Sequence, residues 1–345
     1  MGRWSSTAGA VLDPRRARKF CDYAGYGALF IVGRDGDYNE ESTISGVIAE
    51  IPQRVDGVSS VQVLVVDDGS TDGTVAVAQK AGADKIVRHR GNKGLGATFR
   101  DALDAALGMG ADIIVNIDAD GQYNALDIPA LVAPIIDNRA DIVLGWRDIG
   151  KLDFMPIGKR IGNRLATRAT RMLSGFPVKD AQTGFRAFSR DAALRMYLSG
   201  GYTYVQETLM QAKYKGMAIE QVPVEFRARK GKSRLISSIF SYAARASRVI
   251  FITFKDYRPL KLFLYSGFVI FLVGLGLGIR VLVHFVQTGM VSPHYPTAIA
   301  ATLLIIVGMG TMLFGIIADM FKKQRMLSEE ILYRLRKQEQ NKSKN

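Results

Sequence analysis

Cysteine is almost absent from this sequence, and acidic residues are outnumbered by basic ones. The 345 residues include one cysteine, Cys21, which excludes disulfides within the chain and zinc sites built from several cysteines. The 46 Lys and Arg against 32 Asp and Glu give a net charge of +14. This excess leaves three kinds of anionic partner open, namely nucleic acid, anionic lipid and phosphorylated small substrates.

Two carboxylates stand two positions apart directly after an apolar run. The run Ile113–Ile117 is typical of a buried parallel strand, and Asp118 and Asp120 follow it. Side chains two apart on an extended segment point the same way, so both carboxylates can face one cation, with Gln122 as a third oxygen ligand. Mg²⁺ or Mn²⁺ together with substrate phosphates is the partner that such ligands favour. From this motif alone, a solvated acidic turn is the alternative.

Two earlier apolar runs also end in polar turns. The run Val61–Val66 is followed by Asp67 and Asp68, and the run Ala28–Val32 precedes a helical pattern from Ile44 to Ile51. The spacing of these runs predicts a repeated strand–helix unit and a doubly wound sheet. The acidic turns are then expected at one edge of the sheet, where ligands of such folds bind.

Seven short motifs occur along the chain. In chain order they are Tyr38 to Glu40, Val66 to Thr74, Asn92 to Gly96, Asp118 to Gln122, Gly145 to Arg147, Asp180 to Arg186 and Gly231 to Ser233. With these motifs the chain resembles a membrane-associated family 2 glycosyltransferase with the GT-A fold. Within that family it is similar to the dolichol-phosphate mannose synthase-like branch, which transfers a sugar from a nucleotide-sugar to a polyprenyl phosphate.

The resemblance implies roles for residues at these motifs and an inverting displacement. The metal ligands, for Mg²⁺ or Mn²⁺, are Asp118, Asp120 and Gln122, which with Arg147 and Glu207 form the catalytic set. The nucleotide-sugar site comprises Tyr38, Glu40, Asp67, Asp68, Asn92, Lys93 and Asp118. The acceptor phosphate site comprises Lys159, Asn163, Gln182, Arg186, Arg229 and Ser233.

The basic residues suit a phosphate acceptor. A phosphate monoester is already ionised near neutral pH, so it needs cations to bind and orient it and no general base. His89 is the one histidine between residues 28 and 234. Two basic clusters occur in the same region: Arg147, Lys159, Arg160, Arg164 and Arg168, and then Arg227, Arg229, Lys230, Lys232 and Arg234.

Two long uncharged stretches follow, Leu262–Ile279 and Ala298–Ala318. Each is long enough to cross about 30 Å of hydrocarbon, and the short polar break between them predicts a helical hairpin. Buried core helices are the alternative. Basic residues flank the outer ends and are missing from the connector, which predicts a multi-pass cell-membrane protein with both ends in the cytoplasm. Residues 235–258 have helical apolar spacing, and either lie in the headgroup region or pack on the catalytic domain.

The predicted organisation has five parts. They are a basic N-terminal tail (1–27) without a secretory signal, an α/β GT-A catalytic domain with a mostly parallel sheet (28–234), an amphipathic interfacial helix (235–258), a transmembrane hairpin (259–320) and an exposed, fraying charged helix (321–345). The expected partners are a nucleotide-sugar, a polyprenyl or dolichyl phosphate and the bilayer, and not nucleic acid.

Several alternatives stay open at this point. The donor can be UDP-glucose, UDP-N-acetylglucosamine or GDP-mannose, and a homo-oligomer is compatible with the sequence. A processive polysaccharide synthase would carry Gln-x-x-Arg-Trp and more spans, and a non-catalytic scaffold would not need the acidic triplet at Asp118, Asp120 and Gln122. Protein glycosylation and cell-envelope synthesis are the processes in which such an enzyme would act.

Overall fold

The structure is a computed structural model that describes residues 40–198, 204–228 and 259–342, and the backbone alone of residues 26–33, 173 and 340–342. Three of the predicted site residues, Tyr38, Arg229 and Ser233, lie outside the described residues. The same holds for the predicted interfacial helix and for most of the predicted N-terminal tail.

Seven strands form one sheet, in the spatial order β3-β2-β1-β4-β6-β5-β7. The strands are β1 (Tyr26–Gly33), β2 (Val58–Asp67), β3 (Lys85–Arg88), β4 (Ile113–Asp118), β5 (Ile142–Trp146), β6 (Arg186–Ser189) and β7 (Ile219–Pro223). All neighbouring strands pair in parallel except β6, which is antiparallel to β4 and β5. The prediction of a mostly parallel sheet is therefore confirmed.

Helices cover both faces of the sheet. They are α1 (Ile44–Glu50), α2 (Thr74–Lys80), α3 (Leu95–Gly108), α4 (Ile128–Ile136), α5 (Ile157–Ser174), α6 (Arg190–Arg195) and α7 (Tyr204–Tyr214). Alternate residues of β4 explain the two layers, because Val115 packs with α1 and α4 and Ile114 packs with α3 and α6. Both residues are fully buried. A strand buried on both faces has no polar face, which is why the run Ile113–Ile117 is apolar except for the buried Asn116.

The carboxyl ends of β2, β4 and β5 meet at one edge of the sheet, called here the acidic edge. Asp67 ends β2, Asp118 ends β4, and Arg147 directly follows β5. The antiparallel β6 starts at the same edge, since Arg186 pairs with Asn116. Four strands therefore bring charged residues to one place.

Two long helices, α8 (Pro259–Thr288) and α9 (Tyr295–Lys342), form an antiparallel hairpin. Both are long and apolar enough to cross a membrane. Their outer faces expose apolar side chains, for example Val286 and Leu303. Glycines line the contact between them, because a Cβ atom at Gly308 would lie 2.6 Å from the Phe271 nitrogen. Close backbone approach at small residues is how helices associate in lipid.

We expect Gly308→Leu to loosen this hairpin. The added side chain has no room against α8, and overpacking of this kind costs about 1–3 kcal/mol. The midpoint of thermal unfolding in detergent should fall by several degrees. Gly310→Leu is the matched control, since nothing lies within 4 Å of the Cβ position there. Equal midpoints for the two variants would contradict this packing.

The charged segment after the second apolar stretch differs from the prediction. Helix α9 continues without a break to Lys342, and Tyr333 is only 8% exposed, packed in the core cluster that contains α6. The prediction of an exposed, fraying helix is wrong for the face that carries Tyr333. The sequence could not show this, because the partner surface is built from residues more than a hundred positions earlier.

Candidate active site

The metal ligands predicted from the sequence lie together at the acidic edge. Asp118 is half-buried and Asp120 is buried, and an Asp120 carboxylate oxygen accepts a hydrogen bond from the Gln122 nitrogen at 3.0 Å. Gly184 faces Asp118 so closely that a Cβ atom there would lie 2.8 Å from the Asp118 Oδ2. A larger residue at position 184 would displace the Asp118 carboxylate, and this role of Gly184 in the Asp180–Arg186 motif is not predicted from the sequence.

This donor set fits a hard divalent cation. It offers carboxylate and amide oxygens, and the absent side chain at Gly184 keeps room beside Asp118. Within the described residues, no group of three or more His, Cys, Asp and Glu could hold a metal alone. A cation at this place would therefore need additional oxygen ligands, and the phosphates of a substrate would supply them.

A buried ion pair stands beside these carboxylates. The Arg147 Nε donates to Asp180 Oδ2 at 2.6 Å, and a second guanidinium nitrogen donates to Oδ1 at 3.2 Å. The Asp180 side chain is fully buried and that of Arg147 is 10% exposed. Burial alone would lower the pKa of Arg147, but Tyr123, Asp180 and Asp118 around it raise that pKa. The guanidinium therefore stays charged and is oriented by Asp180, a role that the sequence reading did not assign.

The metal loop, defined here as the end of β4 and the loop after it, carries the predicted metal ligands Asp118, Asp120 and Gln122. Tyr123 and Phe226 connect this loop to the end of β7. The buried Tyr123 hydroxyl accepts a hydrogen bond from the Gly184 nitrogen at 3.1 Å, and burial raises the pKa of Tyr123 to about 12. The Phe226 ring lies 5.0 Å from the Tyr123 ring and 4.8 Å from the Arg147 guanidinium carbon. The Arg227 nitrogen donates to the Gln122 carbonyl at 2.7 Å. The segment that leads to the predicted acceptor residues thus starts beside the metal loop.

Asp67 and Asp68, two residues predicted to bind the nucleotide-sugar, accept hydrogen bonds from the backbone of nearby loops. Asp67 is buried, and both its oxygens accept from the Ser70 nitrogen, at 3.0 and 3.1 Å. Asp68 accepts from the Lys93 nitrogen at 2.8 Å and from the Gly94 nitrogen at 3.0 Å. These buried carboxylates therefore hold the backbone around the site, and their contact with a nucleotide-sugar stays a prediction.

Asp68 also contacts the only histidine of this region. Its Oδ1 lies 2.8 Å from the His89 Nδ1. Burial would raise the pKa of Asp68, but the hydrogen bonds from Lys93, His89 and Gly94 outweigh burial and lower it. His89 therefore supports a loop.

Three other described residues are also predicted to bind the nucleotide-sugar. Asn92 and Lys93 are exposed, while the buried Glu40 accepts a hydrogen bond from the Thr43 hydroxyl at 2.7 Å. Their contact with a nucleotide stays a prediction.

Arg186 is the clearest departure from the sequence reading. It was predicted to bind the acceptor phosphate, but it is fully buried at the start of β6. Its guanidinium donates to the Thr183 carbonyl at 2.9 Å, the Val205 carbonyl at 2.7 Å and the Thr208 hydroxyl at 2.5 Å. Arg186 therefore ties helix α7 to the acidic edge. The position of a charged residue in a motif therefore does not show which way its side chain points.

Three other predicted acceptor residues are described, and they lie around the start of α5 and in the loop before β6. Lys159 is half-buried, and Asn163 is buried, with its Oδ1 lacking a hydrogen-bond partner within the described part of the chain. The Gln182 nitrogen donates to Asp180 Oδ1 at 3.0 Å. The Phe154 ring, just before α5, stacks 6.3 Å from the ring of Phe226, which itself contacts Arg147. These contacts place the start of α5 near the ion pair.

Glu207 lies on the first turn of α7, beside helix α9. Its carboxylate is 3.8 Å from the Arg325 guanidinium and 3.4 Å from the Gln211 amide nitrogen. Tyr204, one turn earlier, stacks on Phe99 at 4.3 Å and lines a small cavity of about 10 Å³ together with Asp118. Helix α7 therefore touches both the acidic edge and the helix that follows the hairpin.

Comparisons with known proteins agree with this geometry. The sequence model described as Glycosyl transferase family 2 matches residues 38–196, and the model described as GtrB C-terminal hairpin matches residues 258–323. A UDP-N-acetylglucosamine–dolichyl-phosphate N-acetylglucosaminyltransferase from Methanococcus voltae is 31% identical over 209 residues, which are 54% of this chain and 82% of the relative. A polyprenol monophosphomannose synthase from Mycolicibacterium smegmatis is 30% identical over 213 residues, 58% of this chain and 79% of the relative.

A solved structure shares the fold of the catalytic domain. Glucosyl-3-phosphoglycerate synthase from Mycobacterium tuberculosis, in complex with Mn²⁺, uridine diphosphate and glucosyl-3-phosphoglycerate, superposes with a TM-score of 0.51 and 25% identity. The match covers 68% of this chain and 80% of that chain. The acidic edge, the family match and these relatives together show that the chain belongs to glycosyl transferase family 2 and carries a GtrB-type C-terminal hairpin.

Proposed function

We propose that this protein is a membrane-bound, inverting glycosyltransferase. It transfers one hexose or N-acetylhexosamine from a UDP- or GDP-linked sugar to a polyprenyl or dolichyl phosphate. The observation that carries this proposal is the position of the Asp118 and Asp120 carboxylates beside the buried Arg147–Asp180 pair at one sheet edge. A cation site and a fixed guanidinium side by side suit a reaction between two phosphate-bearing substrates.

On the donor side, the leaving group is a nucleoside diphosphate. Asp118, Asp120 and Gln122 would hold Mg²⁺ or Mn²⁺ there, and when bound the cation neutralises the negative charge that grows on the diphosphate. Asp67 and Asp68 keep the neighbouring loops in place through their backbone hydrogen bonds. The chain itself thus supplies position and electrostatics, the main contributions in phosphate-centred transfers.

On the acceptor side, the ionised phosphate is the nucleophile. The described residues agree with a reaction that needs no general base, because His89 is bound to Asp68 in a loop. Arg147 stays charged and is held in one orientation by Asp180, so it can bind a phosphate oxygen through its remaining donors. Lys159 and the buried Asn163 lie on the helix that starts near this pair, and Arg229 and Ser233 are proposed to complete the acceptor site.

Helix α5 has a surface suited to the bilayer. Its exposed apolar residues, Ile157, Ile161, Leu165 and Met172, recur at helical spacing. The helix has five basic residues and no acidic one, namely Lys159, Arg160, Arg164, Arg168 and Arg171. An exposed apolar stripe beside basic side chains is typical of a helix that lies on an anionic lipid surface. The catalytic domain is therefore proposed to rest on the cytoplasmic leaflet, with both ends of the hairpin on that side.

Replacing Ile161 and Leu165 together by Ser tests this contact. The apolar stripe would lose two residues, and the KM for polyprenyl phosphate in anionic vesicles should rise about tenfold, since each buried side chain contributes up to about 1.5–3 kcal/mol. The KM for the nucleotide-sugar should not change. Leu335→Ser, at a 52% exposed leucine elsewhere, is the control. An unchanged KM for polyprenyl phosphate in the double variant would show that α5 does not contact the membrane surface.

The proposed activity is tested by mass spectrometry of lipids. Purified protein in vesicles that contain polyprenyl phosphate is incubated with Mn²⁺ and, in turn, UDP-glucose, UDP-N-acetylglucosamine and GDP-mannose. One donor should add the mass of a single hexose or N-acetylhexosamine to the lipid. A non-catalytic scaffold would give no new lipid with any donor, and a processive synthase would give a polymer that is not attached to the lipid.

A further inference from the structure

Helix α9 is unbroken, but its two halves differ in composition. Its first part, up to Ala318, is apolar, and its second part carries frequent Lys, Arg and Glu residues up to Lys342. One face of the second half is not open to solvent. Residues at helical spacing lie against the catalytic domain, and this docking face consists of Lys322, Arg325, Met326, Glu329, Tyr333 and Arg336.

Tyr333 is the centre of the docking face. Its hydroxyl donates to the Asp191 carboxylate at 2.6 Å, and its ring lies 4.6 Å from the Arg195 guanidinium carbon. At 8% exposure it is the most buried residue of this half. A buried aromatic ring with a satisfied hydroxyl is the kind of residue that dominates an interface.

Charged pairs surround Tyr333 along the helix. Glu329 and Lys215 pair at 3.0 Å, with side chains that are 12% and 19% exposed. Arg336 lies 3.4 Å from Asp104 in α3. Among the described residues, the exposed opposite face has ion pairs within the helix, such as Arg334 with Glu330 at 2.9 Å. The contrast between the two faces shows that the second half of α9 docks in one orientation.

The docking face contacts helix α7, which in turn contacts the acidic edge. Lys215 follows α7, and Arg325 lies 3.8 Å from Glu207 in the first turn of α7. The same turn is tied to the acidic edge by Arg186, which bonds the Val205 carbonyl and the Thr208 hydroxyl. The apolar hairpin and the acidic edge are thus joined by packed helices without a flexible joint in the described residues.

The length of α9 also fixes the distance between the end of its uncharged stretch and the docking face. At 1.5 Å per residue, Arg325 lies about 10 Å and Tyr333 about 22 Å along the axis from Ala318, the end of the uncharged stretch. A rod of this kind holds the catalytic domain at one height and one tilt above the plane in which the hairpin lies.

We propose that the second half of α9 is a rigid spacer that holds the active site at the height where the phosphate of a membrane-embedded lipid meets the donor sugar. Tyr333 and Glu329 are its main positioning residues. The inference rests on the proposed function, because the spacer matters only for an acceptor whose own height is set by the bilayer.

The first test compares two acceptors. One is a long-chain polyprenyl phosphate in vesicles, and the other is a short-chain, water-soluble isoprenyl phosphate. The double variant Tyr333→Ala and Glu329→Ala should lose at least tenfold in kcat/KM for the vesicle acceptor. Its kcat/KM for the soluble acceptor should stay within about twofold, since the chemistry is unchanged. Arg334→Ala, on the opposite face, should change neither value.

The second test changes the height and keeps the docking face. Seven helical residues inserted after Met320 add about two turns, or about 10 Å, and bring the docking residues back to nearly the same face. The spacer predicts a loss of at least tenfold with the vesicle acceptor and little change with the soluble one. Full activity of the insertion variant on vesicles would overturn the proposal, and so would an equal loss on both acceptors in the double variant. If the unaltered protein used neither acceptor, the proposed function itself would fail, which is a separate result.

Discussion

Replacing Asp120 by Ala is expected to reduce glycosyl transfer by about a hundredfold to a thousandfold. Asp120 is one of two carboxylates that would hold the divalent cation, and removal of a group that stabilises developing charge in a closed site costs about 10²–10³ in rate. The protein should remain folded, because the residue lies at the edge of the sheet and makes a turn hydrogen bond to the Gln122 nitrogen. Loss of that bond costs about 1 kcal/mol.

Two controls accompany this variant. Asp137→Ala removes a carboxylate that is 56% exposed at the end of α4, and it should leave the rate unchanged. EDTA should stop transfer by the unaltered protein, and added Mn²⁺ or Mg²⁺ should restore it. Steady-state rates and the midpoint of thermal unfolding are measured for both variants. Full activity in EDTA, or an Asp120→Ala protein with normal kcat, would contradict a role for the acidic edge in metal binding.

Replacing Asp180 by Ala is expected to have the largest effect on stability. Asp180 is fully buried and neutralises the Arg147 guanidinium at 2.6 Å. Without it the protein contains a buried charge that has lost its counter-ion, and breaking such a pair costs about 3–5 kcal/mol. The midpoint of thermal unfolding should drop by several degrees or more, and transfer should be lost as well.

A double replacement separates the structural role of the pair from its catalytic role. When both partners are replaced by apolar residues of similar size, Arg147→Met with Asp180→Leu, most of the stability should return, because no buried charge remains. Activity should not return, since the proposed phosphate-binding guanidinium is missing. A double variant that is stable and active would show that Arg147 contacts no substrate. A double variant as unstable as Asp180→Ala would show that the instability has a cause other than an unpaired charge.

Two of the strands that build the acidic edge, β2 and β4, could be predicted from the sequence because their apolar runs are buried. The apolar run before Asp118 indicates both the strand and the place where it ends, and β4 runs from Ile113 to Asp118. The run before Asp67 predicts β2 in the same way. The paired apolar stretches predict the hairpin, since length and composition alone define a helix that can span a membrane.

The direction in which a charged side chain points could not be predicted. Asp67, Asp68 and Arg186 stand in motifs that suggest ligands, but in the structure their carboxylates and guanidinium hold the backbone of neighbouring loops. Gly184 and Phe226 were missed because their roles depend on a close approach between loops that are distant in sequence. A glycine inside a charged motif is the signal that could have indicated such an approach.

The docking face of α9 could not be predicted from the sequence for a related reason. A helix rich in Lys, Arg and Glu is expected to be solvated, and its one buried face is marked in the sequence by little more than Tyr333. The complementary residues, such as Asp191 and Lys215, lie in the catalytic domain. Recognising this interface requires the structure, because neither surface is apolar enough to indicate a contact.

An ionised lipid phosphate is expected to attack a donor held at the acidic edge without help from a general base. This is measured by comparing polyprenyl phosphate with the matching polyprenol, which lacks the phosphate, as acceptors in vesicles with Mn²⁺ and the preferred nucleotide-sugar. We expect one nucleoside diphosphate released per glycosylated lipid with the phosphate, and no transfer with the alcohol. Equal transfer to the alcohol, or elongation of a soluble sugar chain, would contradict this expectation.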